Sequence, residues 1–70
     1  MPNLNDVSFK DLKIGDKLIS AIGQPGKIIG LIDRENARRQ EDNEIEIEWD
    51  NGNRSRIWHF WGDCIQYVSS

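Results

Sequence analysis

Seventy residues with nine Lys and Arg against twelve Asp and Glu give one small acidic domain of net charge −3. That balance weighs against a passive polyanion binder, and the single Cys64 rules out an intramolecular disulfide and fits a reducing, cytoplasmic compartment. No apolar run approaches the ~20 residues of a membrane helix, and Met1–Asp6 lacks the basic and apolar segments of a secretory signal.

Residues 1–6 are expected to be a flexible tail. Val7–Leu12 then reads as a single helical turn, with Ser8 as its cap, Asp11 at the third position, and Val7 and Leu12 spaced as a hydrophobic staple. Gly15-Asp16 hands the chain to a strand over Lys17–Ile22, and Gly23-Gln24-Pro25-Gly26 is a turn by composition. Lys27–Asp33 is apolar on both faces and reads as a central strand, with Gly30 marking a bend or a close backbone approach. Arg34–Asn43 is polar throughout and long for a connection between strands. Its arginines are interspersed with acids, which is the pattern of a solvated loop.

Glu44–Phe60 carries the clearest pattern. Glu44–Trp49 alternates charged and apolar residues, as a strand with one wet and one buried face does, and Asp50-Asn51-Gly52 supplies the turn. A two-residue turn at Asn51-Gly52 would put Arg54 and Arg56 on the core side, where an unpaired charge costs several kcal/mol. A three-residue loop with Gly52 as the bulge residue pairs Trp49 with Asn53 instead. It sets Ile45 opposite Ile57 and Ile47 opposite Ser55 inside, with Glu46 opposite Arg56 and Glu48 opposite Arg54 outside. The second register is chosen. It sends Trp58 and Phe60 outward unless the strand bends before them, and leaves Trp49 on the inner side. Trp61–Cys64 follows as a tight turn and Ile65–Val68 as a closing strand.

Together these elements predict an all-β fold, a five-stranded SH3-like small barrel with a one-turn N-terminal helix and a single domain over residues 1–70. Lys13-Ile14-Gly15-Asp16-Lys17-Leu18 followed by Gly26-Lys27-Ile28 resembles the Gly-Asp-x-Val and Gly-x-Val pattern of KOW-type and other SH3-like barrels. Ile45–Gly52 is similar to the hairpin tip of small uncharacterised barrels of that class, several from phages and mobile elements. The KOW resemblance implies RNA or transcription-complex binding, yet Lys27 is the only basic residue around Gly23–Lys27. Acidic barrels of this shape that serve as accessory subunits match equally well.

No nucleophile–base pair is present, and Glu44, Glu46 and Glu48 line a solvated face rather than a desolvated cleft, so no enzyme activity is expected. His59 and Cys64 are the only soft metal ligands, too few for a structural zinc site; no metal or cofactor is expected. His59 reads as a half-buried, hydrogen-bonded imidazole and Cys64 as a small buried residue. Trp58, Phe60 and Trp61 are the informative cluster, because three large rings within four residues cannot all enter a narrow barrel. Two readings remain. Either the last strand and the N-terminal turn, with Phe9 and Leu12, fold over them as a second core, or they form an exposed patch rimmed by Arg54, Arg56 and Asp63.

The expected function is a non-catalytic protein-interaction or accessory module of a larger complex, with Trp58, Phe60, Trp61, Arg54 and Arg56 as the binding residues. The alternative is a single-stranded nucleic-acid binder, disfavoured by net charge, in which bases stack on Trp58 and Trp61. A protein partner, no membrane, and either a monomer or a homodimer paired through an edge strand complete the expectation.

Overall fold

A computed structural model of the chain describes residues 2–33 and 43–69. Its strands are β1 (Lys17–Ile19), β2 (Pro25–Ile32), β3 (Glu44–Trp49), β4 (Arg54–Trp58) and β5 (Gln66–Ser69). They form one antiparallel five-stranded sheet in the order β4-β3-β2-β1-β5. The expected all-β class holds. The sheet is not closed into a barrel: β4 and β5 are its two edges and do not pair with each other.

The β3–β4 hairpin has the three-residue loop. Trp49 N–H donates to the Asn53 carbonyl at 2.8 Å, and Gly52 takes a φ of +87°, a conformation that strains any residue with a β-carbon. Ile45 lies opposite Ile57, Ile47 opposite Ser55, Glu46 opposite Arg56 and Glu48 opposite Arg54. β2 is irregular between Ile28 and Gly30, where its register against β3 shifts by one residue, and its N-terminal half alone also pairs with β1. The extra residue bends the strand, so the sheet curls around the side chains on its inner face.

Leu4, Phe9, Leu12, Leu18, Ile28, Ile45 and Ile47 fill the core, with Trp49, Ile57, Ile65 and Tyr67 packed against them. Asp16 is buried beside them. Its Oδ2 accepts the Lys13 N–H at 2.9 Å and the Tyr67 hydroxyl at 3.0 Å, tying the Gly15-Asp16 turn to β5.

Residues 2–6 are not a free tail. Leu4–Asp6 forms a 3-10 turn and Leu4 is fully buried. Leu4 N–H donates to the Ile65 carbonyl at 2.7 Å, and Tyr67 N–H donates to the Pro2 carbonyl at 2.9 Å, so this segment covers the outer edge of β5. Burial of Leu4, these backbone bonds and the contact of His59 with the Leu4 carbonyl together oppose the entropy of ordering the segment. The expected helical turn over Val7–Leu12 is a shorter 3-10 turn, Phe9–Asp11, and the Ser8 side chain makes no capping bond. Of Arg34–Asn43, all but Asn43 lies outside the described residues.

Candidate interaction surface

Past Trp58 the chain leaves β4 and enters a 3-10 turn, His59–Cys64. In such a turn residues three apart eclipse one another, so the inward set changes from alternate residues to every third. His59 and Gly62 are buried and Ile65 packs on the core, while Phe60, Trp61, Asp63 and Cys64 face outward. Cys64, expected to be buried, is therefore exposed.

His59 anchors the turn from inside. Its Nε2 lies 3.1 Å from the Leu4 carbonyl and 2.8 Å from that of Val7. Carbonyl oxygens only accept, so Nε2 carries the proton and shares it between them. The ring also meets Phe9 edge to face, and the His59 N–H donates to the Asn43 carbonyl at 2.7 Å. His59 thus joins the N-terminal segment to the end of β4.

Outside, three rings touch in series. Trp58 and Phe60 stack with centroids 6.3 Å apart, and Phe60 meets Trp61 edge to face at 5.7 Å. Trp58 is half-buried, Phe60 is 39% exposed and Trp61 is 61% exposed. Phe9 and Leu12 belong to the main core, so no second core encloses Phe60 and Trp61. The rings rest on one another rather than around a gap.

Arg54 and Arg56 both face solvent. Arg54 Nε donates to Glu48 Oε2 at 3.2 Å, and Arg56 Nε donates to Glu44 Oε2 at 2.6 Å. Arg56 faces Glu46 in the ladder yet pairs diagonally with Glu44, a reach that a long side chain makes easily. Glu46 instead lies against Gly30, where an added β-carbon would stand 3.2 Å from it. Arg56 is two residues from Trp58 on the same face of β4. Arg54 is four residues away, roughly 13 Å along the strand, and belongs to the hairpin tip rather than to the aromatic patch.

Trp49 keeps its inner position, with Nε1 donating to Ser55 Oγ at 3.0 Å and its ring lying over Gly26. An open trough of about 490 Å³ lies at this end of the sheet, lined by Lys17, Pro25, Gly26, Lys27, Glu48, Trp49, Asp50 and Gly52. Its charged lining is two lysines and two carboxylates, Lys17, Lys27, Glu48 and Asp50. Among the described residues, no group of three His, Cys, Asp or Glu is placed to hold a metal ion, and no helix is long and apolar enough to cross a membrane.

The aromatic cluster was legible from its spacing, whereas the buried anchor beneath it was not, because the contacts of His59 come from residues more than fifty positions away. No protein-family model, curated protein or solved structure matches the chain, and its resemblance to SH3-like and KOW-type barrels rests on residue motifs alone.

Proposed function

We propose that this protein is a non-catalytic interaction or accessory module that docks on a protein partner through Trp58, Phe60 and Trp61, with Arg56 at the near rim and Arg54 farther along β4. One observation carries the reading: Phe60 and Trp61 stay exposed at 39% and 61% while seven other apolar side chains fill the core. Contiguous exposed aromatics of this kind favour association, and Trp and Arg are enriched among residues that dominate binding energy. A cytoplasmic location belongs to the same proposal and is supported by the unpaired Cys64 thiol.

The meander from β1 to β4, the bend in β2 and the 3-10 turn ahead of β5 support reading the sheet as an SH3-like small barrel. Nucleic-acid binding draws less support. Both guanidinium groups of β4 are already engaged by Glu48 and Glu44, so neither is free to neutralise a phosphate without breaking an ion pair.

The test compares soluble partners captured by the wild-type chain and by Trp61→Ala. Trp61 makes no core contact, so the variant is expected to fold normally and to lose partner capture. An unchanged set of captured partners, or tight binding of a single-stranded oligonucleotide at low salt, counts against the proposal.

A further inference from the structure

The aromatic patch sits on two packed segments that lack cations. The 59–64 turn packs on the Leu4–Asp6 turn: a β-carbon at Gly62 would come within 2.8 Å of Leu4 Cβ, and the Asn5 side-chain amide donates to the Phe60 carbonyl at 3.4 Å. Residues 2–9 and 57–69 contain no Lys or Arg, and contribute two exposed carboxylates, Asp6 and Asp63. Asp6 accepts the Asn3 N–H at 3.1 Å, and Asp63 makes no ion pair with any described residue. The cations nearest in sequence behave differently: Arg56 is held by Glu44 and Lys10 lies on the separate Phe9–Asp11 turn.

We infer that the partner segment received here is basic, an arginine- or lysine-bearing peptide whose cation lies over Trp61 or Phe60 while Asp63 and Asp6 supply the opposing charge. This deepens the docking proposal above and rests on it. The physical basis is that the negative face of an indole attracts a cation, and the Asp63 carboxylate, two residues along the same turn and without an ion pair among the described residues, adds to the same field. The same arrangement repels phosphate, and it repels a second acidic copy of the chain. Guanidinium suits the site best, since it is planar, weakly hydrated and stacks on aromatic faces.

The experiment titrates the intact chain with a short peptide of alternating arginine and glycine, following the Trp61 indole N–H by NMR. A glutamate–glycine peptide of equal length is the control. The Trp61 signal is expected to move with the first peptide only, and the affinity to fall as salt is added. Trp61→Ala and Asp63→Asn should each weaken binding about threefold or more, in keeping with an exposed cation–π contact. Asp50→Asn removes the same charge at the far end of the hairpin and should leave binding unchanged. Equal responses to both peptides, or equal losses in Asp50→Asn and Asp63→Asn, overturn the inference. Loss of partner capture in Trp61→Ala without any preference for arginine leaves the docking surface standing and removes only the basic partner; if Trp61→Ala changes neither measurement, both readings fall.

Discussion

Leu4 is seated against Gly62, so closely that a β-carbon at position 62 would stand 2.8 Å from Leu4 Cβ and 3.1 Å from the Asn5 nitrogen. The contact joins the two ends of the chain, and it places the turn that carries Phe60 and Trp61.

Gly62→Ala is therefore expected to destabilise the fold by about 1–3 kcal/mol, the usual cost of overpacking a tight site. Leu4→Ala should cost about 2–5 kcal/mol as a large-to-small change in a core. Urea denaturation followed by Trp fluorescence measures both. A free N-terminal tail would make Leu4→Ala neutral, so that outcome would refute the role assigned to Leu4.

Replacing His59 by Phe keeps a ring beside Phe9 but removes the donor shared by two carbonyls: that of Leu4 still accepts the Val7 N–H at 3.3 Å, whereas that of Val7 is left without one. A loss of about 1–3 kcal/mol is expected, the cost of burying an unsatisfied polar group. Exchange of the Asn43–His59 backbone bond should quicken with it, which amide hydrogen exchange detects. Equal stability of the two proteins would mean that water satisfies the Val7 carbonyl.

The two ion pairs of β4 should differ. Arg54 and Glu48 are both substantially exposed, and Arg54→Ala is expected to cost under about 1 kcal/mol. Glu44 is largely buried, its side chain 11% exposed, so its ion pair with Arg56 is screened less by solvent than the Arg54–Glu48 pair. Arg56→Met should cost more than Arg54→Ala, by about 1–2 kcal/mol. Thermal or urea unfolding of the two variants decides the order.

Tyr67 titrates above its ordinary 10.0, first because its hydroxyl donates to Asp16, then through burial and the negative charges of Asp16 and Asp11. A raised pKa means that above pH 10 the unfolded chain gives up this proton before the folded one does. The stabilisation is thus complete below pH 10 and is lost as pH rises through the folded value. Phenolate absorbance should rise later in the native protein than in urea, and Tyr67→Phe should remove the corresponding part of the alkaline loss of stability. Coincident titration curves in the two states would contradict the Tyr67–Asp16 bond.

How much of this was legible from residues alone depends on the distance over which each feature is decided. The hairpin register followed from charge: two arginines forced inward would have been too costly, and alternation then set every facing pair from Glu48–Arg54 to Ile45–Ile57. The all-β class and the outward position of Arg54 and Arg56 come from the same local pattern. Beyond Trp58 the pattern was insufficient, because the change from period two to period three is made by packing against Leu4 and Val7 rather than by any local signal. Alternation and the 3-10 turn both send Phe60 outward, but only the turn exposes Cys64 and hides Gly62.

What this sequence determined by itself is a strand-rich acidic domain with a polar-outside hairpin, since alternation and turn chemistry act within a few residues. Only the tertiary structure decided that residues 2–6 pack, that the sheet stays open between β4 and β5, and that Phe60 and Trp61 remain in solvent. Those outcomes depend on contacts between chain ends some sixty residues apart, such as Leu4 with Ile65, and no short-range pattern encodes which distant group will fill a given space.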